Sequence, residues 1–187
     1  MKNFAIFASG SGTNAQNIIE YFLPHHRIRC IMVLSNNPKA GVLKRAEKLG
    51  VPAVVFDEKQ LNETGEVLGI LNSNNIDFIV LAGFMRLVPK DIIDEFSGRI
   101  VNIHPALLPK YGGKGMYGMH VHRAVLNSGD TESGITIHYV NEKYDEGAVI
   151  FQARTQIDPD ETPESLALKI HQLEYKHYPP AIESVIK

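Results

Sequence analysis

Asn102 and His104 stand two residues apart in the run Asn102-Ile103-His104-Pro105-Ala106-Leu107-Leu108-Pro109. An apolar stretch ending near Val101 leads into it, so the pair falls at the end of an expected strand. Side chains two apart in a strand point to the same side. An imidazole titrates near neutrality, and an amide beside it can steady a developing oxyanion. The flanking prolines stiffen the exit and help to end the strand. Taken alone, the segment equally allows a histidine that does no more than cap a turn.

A second candidate is the loop Gly10-Ser11-Gly12-Thr13-Asn14-Ala15, which follows the apolar run Phe4 to Ala8. Glycines here let a backbone approach a ligand, and a helix start offers free N–H groups to an anion. A dinucleotide site would add an acidic residue at the end of the second strand, yet that strand closes Leu34-Ser35-Asn36-Asn37. A P-loop would need Gly-Lys where Asn14-Ala15 stands. The loop therefore reads as an isolated phosphate site, with Ser11, Thr13 and Asn14 adding side-chain donors. A glycine turn needed only for close packing is the competing reading.

The elements that would position these residues alternate. Strands are expected at Phe4–Ala8, Ile28–Leu34, Val51–Phe56, Asp77–Ala82 and Arg99–Ile103, with helices at Asn14–Leu23, Gly41–Leu49, Leu61–Leu71 and Pro89–Phe96. That order is the signature of a single-domain α/β fold, Rossmann-like and doubly wound, with a mostly parallel sheet. Beyond a glycine-rich loop, His120–Leu126 reads as a helix. Gly134–Val140 and Ala148–Gln156 read as antiparallel strands at the sheet edge, joined through Asp145-Glu146-Gly147. Thr162-Pro163 opens a last helix, which Pro179-Pro180 is expected to break or kink. The nucleotide-binding part is placed at about 1–100 and the catalytic part at about 101–187. In such sheets ligands sit beyond the carboxyl ends of the strands. The glycine loop, the segment Gly83-Phe84-Met85-Arg86-Leu87-Val88 and Asn102 to His104 all fall on that edge.

Composition narrows the classes. The chain has 187 residues, 44% hydrophobic and 21% charged, with a formal net charge of -2. That composition fits one globular domain. Its acidic balance gives no expectation of a nucleic-acid partner. A single cysteine, Cys30, cannot form an internal disulfide, and a reducing cytoplasm is expected. No secretory signal and no membrane-length apolar run is seen. Oligomeric state is left open.

The chain resembles the folate-dependent formyltransferases, and within that group the phosphoribosylglycinamide formyltransferases of purine synthesis. The resemblance runs end to end. It rests on the glycine loop with Asn14, on Leu81-Ala82-Gly83-Phe84-Met85-Arg86, on Asn102 through Tyr111, and on His138 through Asp145-Glu146-Gly147. It implies catalytic roles for Asn102, His104 and Asp145. It implies ribonucleotide contacts at Gly12, Thr13, Asn14 and Glu174, and a folate wall at Met85, Arg86, Leu87 and Val88, with Asn102 alongside. The implied reaction is formyl transfer from 10-formyltetrahydrofolate, as co-substrate, to an amine, without a metal. Asp145 is then expected to favour a protonated His104. Gln60, beside Lys59, stands roughly where the family has an arginine for the folate tail. Gly112 to Met119 is longer than in some relatives and suits a flap.

Other readings remain. His120 and His122, with His104 and His138, could in principle meet on zinc, although positions i and i+2 of a helix point apart. His138 is expected on the second face of an edge strand or supporting Asp145; His171 and His177 are expected on the surface of the last helix. Transferases acting on methionyl-tRNA or an amino sugar, and hydrolases of formylfolate, share the formyltransferase pattern. A non-catalytic nucleotide-binding module would need the glycine loop alone.

Overall fold

The computed structural model describes residues 1–186. In chain order the elements are β1 (Lys2–Phe7), α1 (Thr13–Phe22), β2 (Ile28–Ser35), α2 (Gly41–Lys48), β3 (Ala53–Val55), α3 (Glu58–Asn62), α4 (Glu66–Ser73), β4 (Phe78–Leu81), α5 (Lys90–Glu95), β5 (Ile100–His104), α6 (Met119–Asn127), β6 (Glu132–Tyr139), β7 (Val149–Gln156) and α7 (Pro163–Val185). One seven-stranded sheet runs in the order β3-β2-β1-β4-β5-β6-β7. The first five strands are parallel; β6 is antiparallel to β5, and β7 to β6. The expected α/β class holds, with the antiparallel pair β6 and β7 at one end of the sheet and β7 outermost.

Continuous apolar runs such as Phe4–Phe7 are buried on both faces, because period-two alternation sends neighbours to opposite sides. Phe4 and Ile6 join one apolar layer with residues of α1, α2, α6 and α7. Ala5 and Phe7 join a second layer with Leu61, Val67, Leu71 and Ile92 from α3, α4 and α5. No β6 residue belongs to that second layer. On this face the alternate residues of β5 and β6 are Asn102, His104, Thr136 and His138, cross-strand partners in register. Burial thus splits the sheet into a helix-covered apolar part and a polar seam.

Two expectations need correction. The single helix expected over Leu61–Leu71 is two, α3 and α4. Gly65 sits at φ 66, a left-handed conformation suited to glycine, and separates them. The last helix does not break at Pro179-Pro180 but runs through both prolines to Val185. A proline leaves the carbonyl four residues earlier without its donor. For Pro179 that carbonyl belongs to Tyr175, and the Asn17 side chain of α1 donates to it at 3.0 Å. Next to the prolines, the fully buried Tyr178 hydroxyl donates to the Leu81 and Val101 carbonyls, at 2.8 and 3.3 Å, and fastens α7 to β4 and β5. Among the described residues no helix is long and apolar enough to cross a membrane.

Candidate active site

The strand order reverses between β1 and β4, and the loops leaving their carboxyl ends touch there. Ser9 N–H donates to the Gly83 carbonyl at 3.0 Å. The Ser9 hydroxyl donates to Asn36 Oδ1 at 2.6 Å and accepts from Met85 N–H at 2.9 Å. Ser9 therefore locks the ends of β1, β2 and β4 together, a role with no motif to mark it. Such a reversal point is where open α/β sheets bind ligands.

Gly12 begins α1 at φ 79. A Cβ there would lie 2.5 Å from Val42 Cα, so close packing on α2 by itself requires glycine. Phosphate binding is compatible with that requirement but is not needed to explain it. Asn14, in the first turn, donates through Nδ2 to Glu174 Oε2 at 2.8 Å. His171 Nδ1 lies 2.8 Å from the same oxygen. Glu174 is only 4% exposed, so the helix start and α7 share a buried carboxylate. His171 is exposed, as expected, yet it is engaged rather than idle: hydrogen bonding to Glu174 raises its pKa.

His122 enters the sequence reading only as a weak zinc candidate beside His120. It is buried in α6 while His120 is exposed. Burial lowers its pKa, with the neighbouring His171 pushing the same way and Glu174 opposing. Its Nδ1 and Asn14 Oδ1 are buried without a protein partner.

At the seam, Asn102, His104 and Asp145 come together from separate segments. Asp145 lies in the turn after β6 at φ 57, a left-handed conformation that Asp tolerates. Gly147, two residues on, passes so close to the Tyr139 carbonyl that any Cβ would overlap it. This approach aims the carboxylate inward: Asp145 Oδ2 accepts from Gly113 N–H at 2.9 Å and lies 3.5 Å from His104 Nδ1. Asp145 Oδ1 is 3.6 Å from His138 Nε2. Burial raises the Asp145 pKa, but the two histidines and Gly113 N–H outweigh it and hold the carboxyl below its usual range. The Thr136 hydroxyl donates to the Ala106 carbonyl at 2.7 Å and accepts from Leu108 N–H at 3.0 Å, pinning the chain that leaves His104.

Burial works against the expected protonated His104. Burial lowers its pKa; Asp145 and the Tyr111 carbonyl push upward without overcoming that loss of solvent. His104 Nε2 is 2.7 Å from the Tyr111 carbonyl oxygen. A carbonyl accepts only, so the neutral ring carries its hydrogen on Nε2 and leaves Nδ1 basic, facing Asp145.

Along the remaining wall, Met85 is 50% exposed and Leu87 41%, whereas Val88 is 4% exposed and belongs to the second apolar layer. The Val88 side chain is therefore core, and only its backbone is free to line a cleft. The Arg86 side chain lies 3.4 Å from Glu58. Gln60 closes a capping box with Asp57 at the start of α3 and donates to Glu66.

A doubly wound α/β sheet thus brings an amide, an imidazole and a carboxylate together at the carboxyl end of β5. The chain belongs to the formyl transferase family, whose model matches residues 2–182. It is 37% identical over 191 residues to the phosphoribosylglycinamide formyltransferase of Haemophilus influenzae, covering 98% of this chain and 86% of that protein. The chloroplastic phosphoribosylglycinamide formyltransferase of Arabidopsis thaliana is 39% identical over 183 residues, 95% of this chain. The chain spans 63% of that plant protein's length. The crystal structure of glycinamide ribonucleotide transformylase 1 from Geobacillus kaustophilus aligns with a TM-score of 0.90 at 38% identity, over 100% of both chains.

Proposed function

We propose that this protein transfers the formyl group of 10-formyltetrahydrofolate to the amine of 5'-phosphoribosylglycinamide, giving the N-formyl ribonucleotide and tetrahydrofolate in purine synthesis. The observation that carries the reading is the grouping of Asn102, His104 and Asp145 about His138 in a chain of the formyl transferase family. On this reading Gly12, Thr13 and Asn14 face the phosphate side, and Glu174 takes donors of the ribose and glycinamide. Met85 to Val88 form the folate wall, with the exposed Met85 and Leu87 side chains offering apolar surface to a flat ring. Residues 1–100 supply most of the nucleotide contacts and 101–187 the chemistry, although Glu174 and Met85 cross that division. A reducing cytoplasm suits the lone Cys30.

The residues then divide the work. When the neutral amine attacks the formyl carbon, negative charge gathers on the formyl oxygen. His104 has its one N–H engaged by Tyr111, so the oxyanion donor is the Asn102 amide, a role worth about 2.7–4 kcal/mol. His104 Nδ1 accepts the proton that the attacking nitrogen sheds, and Asp145 stabilises the resulting imidazolium. His104 then returns that proton to the departing folate nitrogen as the carbon–nitrogen bond breaks. Proton and charge balance without a covalent enzyme intermediate.

The deciding assay combines enzyme, glycinamide ribonucleotide and formylfolate, following deformylated folate in the ultraviolet and the formylated ribonucleotide by mass. Appearance of both in equal amounts is expected. Release of formate with the ribonucleotide unchanged would make the protein a hydrolase, and transfer only to an aminoacyl-tRNA or an amino sugar would reassign the acceptor.

A further inference from the structure

Asn102 lies directly opposite His138 in the β5–β6 ladder, and directly opposed side chains on one face of a sheet meet. His138 is 2% exposed. Its ring nitrogens have unlike partners. Nδ1 is 2.8 Å from the Tyr139 carbonyl oxygen, which accepts only, so Nδ1 must carry a hydrogen. Nε2 is 3.2 Å from Asn102 Nδ2. In the neutral ring Nε2 is then a bare acceptor, and the amide nitrogen is the end of Asn102 that suits it. The Asp145 oxygen 3.6 Å away is too far to take a hydrogen bond from Nε2. Among the described residues the Asn102 side chain has no other hydrogen-bond partner, so nothing else chooses between the two ends of an amide of nearly symmetrical shape.

We propose that the Nδ1–H tautomer of His138 sets the orientation of the Asn102 amide, making His138 a positioning residue for formyl transfer. The inference rests on the function proposed above. One amide hydrogen goes to His138, and the second is left to donate in the cleft. A hydrogen on Nε2 would call for the amide oxygen instead, turning the amide over and carrying its N–H groups elsewhere. The β6–β7 register shifts between Ile137 and His138, an irregularity of the kind that re-aims a side chain beside a site.

The test has two readouts. In protein labelled with 15N-histidine, long-range proton–nitrogen correlations, assigned by loss in a His138 variant, are expected to show Nδ1 protonated and Nε2 bare. In kinetics, His138→Leu removes the acceptor, whereas His138→Gln places an amide oxygen near the Nε2 position. The Leu variant is expected to lose about 10- to 100-fold in kcat with the ribonucleotide KM within about twofold, and Gln to restore the rate to within about fivefold, since an oxyanion donor as a whole is worth about 100- to 1,000-fold. A residue that only packed would give the reverse order, because Leu suits a buried site better than Gln. If Leu does not fold by thermal melting, His138→Met serves in its place. An Nε2–H spectrum, or an apolar variant as fast as Gln, overturns the proposal. Failure of the wild type to form the formylated ribonucleotide would instead overturn the proposed function, and the tautomer spectrum would still be readable.

Discussion

Along β1 and β4 both sheet faces are apolar and covered by helices, and whatever binds there meets loop backbone at the strand ends. Along β5 and β6 one face carries Asn102, His104, Thr136 and His138, and no β6 residue packs with the helices of the second layer. The first region is held by packing, as Gly12 against Val42 illustrates, and presents donors at fixed places. The second is held by hydrogen bonds between side chains and loops, among them Asp145 to Gly113 and Thr136 to Leu108. Substitutions in the two regions should therefore separate affinity and stability from turnover.

His104→Ala offers the largest effect. Loss of the proposed proton carrier should lower kcat roughly 100- to 10,000-fold, with ribonucleotide affinity by calorimetry little changed. Equal losses in kcat and affinity would erase the distinction between the two regions. Asp145→Asn should follow with a smaller loss, about 100-fold, at the low end of what a positioned acid–base group contributes, because the imidazole itself is kept. The sign of its pH effect is fixed. Burial already holds the His104 pKa below the usual 6.5, and Asp145 is the largest influence pushing it up. A base must be unprotonated, so activity falls as pH drops through the His104 pKa. Without Asp145 that acid limb moves to lower pH still. An NMR titration of His104 that stays put, or moves upward, breaks the coupling.

How much of this the sequence reveals follows the same division. The parallel half is legible because continuous apolar runs and glycine turns are local signals, and Asn102 with His104 is legible because both sit on one strand. The acid at Asp145 is named only through family resemblance. Its approach to His104 depends on a positive-φ turn and on Gly147 threading past Tyr139, neither of which a linear pattern records. Ser9 escapes because its partners lie 27 or more residues away, and the burial of His122 escapes because it is set by tertiary packing. The lowered pKa of His104 escapes because desolvation belongs to the folded state alone.

Glycine substitutions sharpen the contrast at intermediate size. Gly147→Ala forces the Asp145 turn away from Tyr139, and overpacking of this kind costs about 1–3 kcal/mol. Part of the effect should appear as lost turnover, since the displaced residue is the His104 partner. Gly12→Ala meets Val42 and adds a strained φ, so comparable destabilisation is expected. Its kinetic signature should be a raised ribonucleotide KM with kcat nearly kept. Thermal melts alongside steady-state kinetics distinguish the pair, and a Gly12 variant that loses kcat alone would contradict the assignment of the loop to binding.

The smallest expected effect concerns α7, which belongs to both regions because it carries Glu174 to Asn14 and Tyr178 to β4 and β5. Its passage through Pro179 depends on Asn17 supplying the donor that the proline lacks for the Tyr175 carbonyl. Asn17→Ala removes that donor at a partly exposed site where water can substitute, so the loss should be about 0.5–1.5 kcal/mol. For a chain of this size that corresponds to a fall in Tm of roughly 2–4 °C per kcal/mol. Because the helix is also fastened by Tyr178, kcat should be unaffected, and the ribonucleotide KM should rise less than in the Gly12 variant. A loss in Tm as large as that of Gly147→Ala would mean that the prolines strain α7 more than one side-chain donor can relieve. The break or kink read from the sequence at Pro179-Pro180 would then be the state the helix adopts once Asn17 is gone.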